Sequence, residues 1–142
     1  METKERKYQG GCHCGAIRFE VALDPGQPAG RCNCSVCTKI SPTSRIVKPG
    51  ALTVLQGEEE AGVYEWGAKV SKRYFCKRCG VHCFGRGHLE ELGGDYASVN
   101  VNTLDDADPG RLQVLYFDGR HDNWDAGPRS TPWPVVAVAA AS

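Results

Sequence analysis

Eight cysteines in 142 residues constrain this chain more than any other feature, because they fall into three tight groups. Cys12-His-Cys14 comes first, Cys32-Asn-Cys34-Ser-Val-Cys37 second, and Cys76-Lys-Arg-Cys79 third, with Cys83 just beyond. Residues two apart in a strand point to the same side, so Cys12 and Cys14 can aim both sulfurs at one ion. A CxxC turn is tight enough to set Cys76 and Cys79 at two corners of a tetrahedron. Gly15 and Gly80 each follow directly on a cysteine and permit backbone conformations that other residues resist. Two pairs from distant parts of the chain thus supply four thiolates, the closed ligand set of a structural zinc.

Cys32, Cys34 and Cys37 bring three sulfurs together within six residues, and their segment holds no fourth ligand. Three protein ligands with an open position mark a reactive zinc, whereas four mark an inert one. Two roles for the remaining cysteine stay open at this point. Cys83 can supply the fourth thiolate, which makes both sites structural, or it can be a small buried hydrophobe on a strand between His82 and Phe84. A thioredoxin-like redox role for Cys76 and Cys79 needs a βαβ context that the sequence does not offer. His13, His82, His88 and His121 are scattered and read as surface or hydrogen-bonded side chains. Arg120 and His121, in Phe117-Asp-Gly-Arg-His, fit either a substrate contact or an ordinary turn after a strand.

Metal ligands are distinguished from disulfides by compartment. The N-terminal residues Met1–Lys7 are charged and lead into no apolar stretch of signal-peptide length. The most apolar run, Val135–Ala141, is far short of a membrane span. The expectation is a soluble, cytoplasmic protein with reduced cysteines and no membrane partner. Lys plus Arg equals Asp plus Glu at 17 each, giving zero formal net charge. That balance argues against nucleic acid as a partner, since phosphate-backbone binding demands a basic excess. The most basic stretch, Lys69–Arg78, is interrupted by Val70, Tyr74, Phe75 and Cys76 and reads as the solvated face of a strand.

The length suits one domain with a single core. Ala16–Leu23 alternates apolar and polar residues as a half-buried strand does. Arg45–Lys48, Leu52–Leu55, Val63–Trp66, Val70–Phe75, Tyr96–Val101 and Leu112–Phe117 are further strand candidates. Gly-containing segments, Gly85–Gly94 among them, read as connections. Ser35–Ile40 fits one helical turn and Thr103–Ala107 another, with Thr103 as N-cap. The fold expected is mainly β with short helical turns, over residues 1–127. Residues 128–142 read as a Pro- and Ala-rich tail, partly disordered.

Gly11-Cys12-His13-Cys14-Gly15, Cys32-x-Cys34-x-x-Cys37 and Phe75-Cys76-x-x-Cys79-Gly80, followed by Ser98-Val99-Asn100-Val101 and Phe117-Asp118-Gly119-Arg120, resemble the glutathione-dependent formaldehyde-activating enzyme family. Its domain is shared with centromere protein V. The resemblance runs from about Tyr8 to Trp124. It implies a zinc-bound fold of two packed, mostly antiparallel sheets. It also implies two zinc ions, one structural on Cys12, Cys14, Cys76 and Cys79, the other labile on Cys32, Cys34 and Cys37. The implied activity is that of a carbon–sulfur lyase of the S-hydroxymethylglutathione synthase type, joining glutathione to formaldehyde. Two features depart from that type: the chain ends soon after the last shared motif where those members run longer, and Cys83 stands where a larger apolar residue is expected.

On this reading the zinc site of Cys32, Cys34 and Cys37 is catalytic, and the partners are a small thiol and a small aldehyde. A coordinated thiol loses its proton outright and is then the nucleophile. Arg45, Lys48 and Arg78 are candidates by charge for holding an anionic thiol. Two other classes compete with the enzyme: a zinc-stabilised binding module, and a labile-zinc or redox-responsive protein.

Overall fold

The computed structural model describes residues 5–67 and 69–135. Within them the strands are β1 (Arg6–Gly11), β2 (Arg18–Leu23), β3 (Ala29–Cys32), β4 (Ser44–Val47), β5 (Leu52–Gln56), β6 (Ala61–Tyr64), β7 (Ser71–Cys76), β8 (His82–Leu89), β9 (Gly94–Asn100) and β10 (Val114–Phe117). One α-helix, α1 (Ser35–Ile40), and several single 3₁₀ turns lie between them. The strands form a three-stranded sheet, β1-β2-β5, and a seven-stranded sheet, β10-β3-β4-β9-β8-β7-β6. Every named pairing is antiparallel except β10 with β3, which is parallel. The mainly β fold of two packed, mostly antiparallel sheets is therefore present.

Alternation builds the core. In β2, Phe19, Val21 and Leu23 are buried while the residues between them are half-exposed. In β9, Ala97 and Val99 face inward in the same way. The small sheet lays Phe19 and Val21, with Ile17 just before them, against Phe84, Ala97 and Val99 of the large one. Phe19 meets Phe84 edge-on at a centroid distance of 5.7 Å, a favoured aromatic arrangement. Burying each such side chain contributes roughly 1.5–3 kcal/mol, so this seam holds the two sheets together.

Two segments differ from the sequence expectation. Gly85–Gly94, read as a connection, is mostly strand, because β8 runs through Gly85 and Gly87 to Leu89. These glycines mark close approach rather than a turn. A Cβ on Gly85 would fall 2.8 Å from Ser98 Oγ, and one on Gly87 2.6 Å from Tyr96 Cζ. The helical turn expected at Thr103–Ala107 is instead a 3₁₀ turn at Val101–Thr103, one turn earlier. Its cap is Asn100, whose side chain accepts from Asn102 N at 3.2 Å. Beyond it the chain is drawn across β1: Asp105 N donates to Gln9 O at 2.9 Å, and Leu104 is buried. Tertiary pairing overrides the local helical signal there.

At the start of the Pro- and Ala-rich segment, Arg129 and Tyr116 exchange both backbone hydrogen bonds, at 2.8 and 3.1 Å. Trp133 Nε1 donates to Tyr116 O at 3.0 Å. Arg129 and Trp133 thus tie this segment to Tyr116 of β10, while 136–142, with most of the apolar run, lie outside the described residues. Among the described residues no helix is long and apolar enough to cross a membrane.

Candidate metal centres

The first cysteine group is assembled by two turns of the same design. After β1, Cys12 N donates to Ile17 O at 3.2 Å and Gly15 N to Cys12 O at 3.3 Å. After β7, Cys76 N donates to Val81 O at 3.0 Å and Gly80 N to Cys76 O at 2.8 Å. Gly15 and Gly80 take φ of +84° and +79°, in the left-handed region that favours glycine. Cys12 and Cys14 therefore converge through a turn, not through the same-side geometry expected of a strand, since β1 ends at Gly11.

The four sulfurs of Cys12, Cys14, Cys76 and Cys79 all lie within 4.8 Å of one another. Cys14 Sγ is 3.6 Å from Cys12 Sγ and 3.7 Å from Cys76 Sγ. A tetrahedron with metal–sulfur bonds of about 2.3 Å has edges of about 3.8 Å, so the spacing already suits zinc. These distances are far beyond a disulfide bond of about 2.05 Å, and all eight cysteines are free. Backbone N–H groups of Ile17 and Arg78 donate to the sulfurs of Cys12 and Cys76, each at 3.3 Å.

The second group sits on a different scaffold. Cys32 ends β3, Cys34 is the extended residue before α1, and Cys37 lies within α1. Their three sulfurs are also mutually within 4.8 Å. Both cysteine groups can hold metal ions, and their all-sulfur donor sets suit a soft or borderline ion such as zinc. Arg73, from β7, points its Nη2 at Cys37 Sγ, 3.8 Å away, while its Nη1 is buried with no partner among the described residues. Hydrogen bonds from Cys32 and Cys37, with the charge of Arg73 behind them, hold the Cys34 thiol far below the usual thiol range. Cys37 is pushed up, chiefly by Cys32.

Cys83 belongs to neither group. It is wholly buried in the core and its Sγ lies 3.7 Å from Val81 O. Burial pushes its thiol up to about 12.

The loop carrying Cys32 and Cys34 is pinned through Asn33. Its Nδ2 donates to Asp118 Oδ1 at 2.8 Å, and its Oδ1 accepts from Arg120 N at 3.0 Å. Arg120 also donates from Nε to Asn33 O at 2.9 Å and from Nη2 to Thr38 Oγ1 at 3.3 Å. His121 Nδ1 lies 2.7 Å from Asp118 Oδ1, and Asn123 Nδ2 donates to Oδ2 at 3.3 Å. Burial opposes ionisation of Asp118, but these hydrogen bonds outweigh it and keep the carboxyl below its ordinary range. Gly119 lies against Cys32, where an added Cβ would fall 2.5 Å from its sulfur. Arg120 and His121 thus brace the cysteine loop.

The cations singled out by charge lie elsewhere. Arg45 donates to the backbone oxygens of Asp24 and Gln27 at 2.6 and 3.3 Å. Arg78 pairs with Glu60 at 3.1 Å, and Lys48 is an exposed residue before the turn Pro49–Ala51. The cation that does lie at the three-sulfur group is Arg73, from within the stretch read as a solvated face. None of the four histidines joins a cysteine group: His13 is exposed, His82 stacks near Phe75, and His88 pairs with Asp95.

Helix α1 separates two cavities. The smaller, about 210 Å³, is bordered by Cys32 and Cys37 together with Arg31, Thr38, Tyr116 and Trp133. The larger, about 410 Å³, opens between Val36 and Ile40 of α1 and the side chains of Tyr64, Trp66 and Phe75.

A family model described as glutathione-dependent formaldehyde-activating enzyme matches residues 7–117. A Halomonas elongata protein provisionally named for that enzyme is 32% identical over 81 residues, covering 50% of this chain and 50% of its own. A protein of the same provisional name from Emericella nidulans is 31% identical over 98 residues, covering 64% of this chain and 49% of its own. The chain spans about half the length of these curated relatives. The crystal structure of a Rhodobacter sphaeroides protein superposes with a TM-score of 0.67 at 31% identity, covering 77% of this chain and 99% of that one.

Proposed function

Because the chain belongs to the glutathione-dependent formaldehyde-activating enzyme family, we propose that it is a carbon–sulfur lyase that adds a thiol such as glutathione to a small aldehyde such as formaldehyde, or reverses that addition. The proposal includes two zinc ions per chain, one on Cys12, Cys14, Cys76 and Cys79 and one on Cys32, Cys34 and Cys37. Cys32, Cys34 and Cys37 would hold the second ion, and a zinc bound there would supply the Lewis acidity that makes a substrate thiol easier to deprotonate. The setting is a reducing, cytoplasmic one, in which eight free cysteines keep their thiols.

The observation that carries the reading is the difference in ligand count. Three half-buried sulfurs gather beside a cavity, and Cys83 is not among them. Addition forms one carbon–sulfur bond and converts the carbonyl to a hydroxyl. The proton leaving the thiol ends on the carbonyl oxygen, so no oxidant or reductant is consumed. Asn33, Asp118 and Arg120 hold the Cys32–Cys34 loop in place, and preorganisation of this kind is what a reactive centre requires. Arg73 offsets the net negative charge that three thiolates leave on a divalent ion.

Cobalt in place of zinc provides the test. Adding glutathione should strengthen the sulfur-to-metal charge-transfer band in the intact protein and leave a Cys34→Ser variant unresponsive. No spectral change with both sites filled would mean a closed centre and would favour a non-catalytic binding module.

A further inference from the structure

The smaller cavity is the one that reaches the three-sulfur group, since Cys32 and Cys37 are part of its lining. The larger one lies across α1 and touches none of those cysteines. A molecule in the smaller cavity therefore meets the sulfurs directly. Part of its lining is apolar: Trp133 stands there, its Nε1 donating to Tyr116 O at 3.0 Å, beside Pro132 and Val135. The polar part is Arg31, Asn33, Thr38 and Ser41, with no acidic side chain among them. A cavity that holds a cation and no carboxylate of its own favours an anionic guest.

The other arginines around this group are committed to protein partners. Arg73 turns its Nη2 to Cys37 Sγ, 3.8 Å away. Arg120 donates to Asn33 O and Thr38 Oγ1. Arg129 lies over the Trp133 ring at 3.8 Å and donates to the carbonyls of Thr131 and Pro132. Arg31 differs from all of these. Its Nε donates to Thr43 Oγ1 at 3.1 Å, and Thr43 is buried, so the guanidinium is anchored at that edge. Among the described residues no carboxylate pairs with it and nothing accepts from its Nη nitrogens. Those two nitrogens form a fork that matches a carboxylate bidentately. Strand pairing puts the fork where it is: in the parallel register of β3 with β10, Arg31 lies opposite Tyr116 and Cys32 opposite Phe117.

We propose that Arg31 determines specificity for the thiol partner, pairing with a carboxylate of the incoming thiol while its sulfur goes to Cys32, Cys34 and Cys37; this rests on the thiol-addition reading above. Thiols that carry a carboxylate are favoured over neutral thiols of similar size. The contact binds and orients, and no bond to carbon forms or breaks at it.

The test uses the full chain with both metal groups filled. Glutathione is compared with its diethyl ester, which keeps the thiol and loses both carboxylate charges. S-methylglutathione, whose sulfur is capped, reports the carboxylate contact by itself. It should bind saturably by ligand NMR, and roughly tenfold more weakly to Arg31→Met, with partial recovery in Arg31→Lys. In the cobalt protein, half of the charge-transfer change should need roughly tenfold less glutathione than ester. Arg31→Met should make the two thiols equal. A parent protein that takes up glutathione and ester equally well overturns the inference and leaves the thiol-addition reading standing. That comparison needs no variant, so it decides the matter even where Arg31→Met does not fold. A preference for glutathione that survives in Arg31→Met overturns the role of Arg31. Arg31-dependent binding of S-methylglutathione without thiol uptake by cobalt overturns the thiol-addition reading, and the specificity assignment falls with it.

Discussion

The two cysteine groups are built from the same atom type yet stand on opposite kinds of scaffold. Cys12, Cys14, Cys76 and Cys79 sit at the ends of strands from both sheets, on two matching turns whose backbone hydrogen bonds stay within each turn. Cys12 and Cys76 are buried there, and the core packs directly behind them. Cys32, Cys34 and Cys37 occupy one short segment, are all half-buried, and depend on partners contributed from residues 73 and 118–123. A group that ties two sheets together serves stability, because removing it separates elements that are far apart in sequence. A group confined to one loop can change its occupancy without separating anything. On the proposed reading, the same ligand chemistry would serve as a staple in one place and as a replaceable centre in the other.

The sharpest way to break this comparison is to remove one ligand from the four-sulfur group. A structural zinc contributes an apparent ~10–16 kcal/mol at neutral pH, against a net stability of ~5–15 kcal/mol for a domain. Cys76→Ser should therefore be insoluble or unfolded by circular dichroism. Cys34→Ser, with the same chemical change in the other group, should melt cooperatively. A cooperative melt for Cys76→Ser would show that the first group is not a staple.

Mild chelation probes the same difference without mutation. One metal equivalent should leave first while far-ultraviolet dichroism is unchanged, and the second should leave only as the protein unfolds. Simultaneous loss of both equivalents would mean that the two groups do not differ in lability.

Much of the scaffold was legible because alternation is a direct imprint of a half-buried strand. Phe19, Val21 and Leu23 announced β2, and Ser35–Ile40 formed as the helical turn expected of it. β1 was not legible, since Arg6–Gly11 carries one aromatic among charged residues and glycines and is held by pairing with β2. β8 was disguised by glycines that serve close contacts between strands. The grouping of seven cysteines into four and three could be read from spacing, because turns and short loops set local geometry. Arg73 and the Asp118 network could not. Asn33 and Asp118 are 85 residues apart, and only the parallel pairing of β10 with β3 brings them together.

That network gives a smaller test. Asp118→Ala leaves Asn33, His121 and Asn123 without their shared acceptor. Partners that orient metal ligands typically contribute about 10–100-fold to metal affinity. The expected outcome is a modestly lower melting temperature and a metal affinity at the three-sulfur group lower by that factor, with the four-sulfur group unaffected. Competition with a chromophoric chelator measures both affinities. Equal weakening of the two groups would show that Asp118 supports the fold at large.

Cys83 gives the smallest expected effect and bears most directly on whether the second group is closed. Its thiol is pushed up first by burial and then by the charge of Cys12, Cys79, Cys76 and Cys14, all members of the four-sulfur group. It therefore lies on the side of the staple, away from the three sulfurs that lack a fourth. A staple with four ligands already has no position left for it. Replacing it with valine keeps an apolar side chain of similar size in the core, a change that usually costs under ~1.5 kcal/mol. Cys83→Val should thus melt within a few degrees of the parent and retain both metal equivalents by elemental analysis. Loss of one equivalent would make Cys83 the missing ligand. Both groups would then be closed, and no position would remain for a substrate thiol.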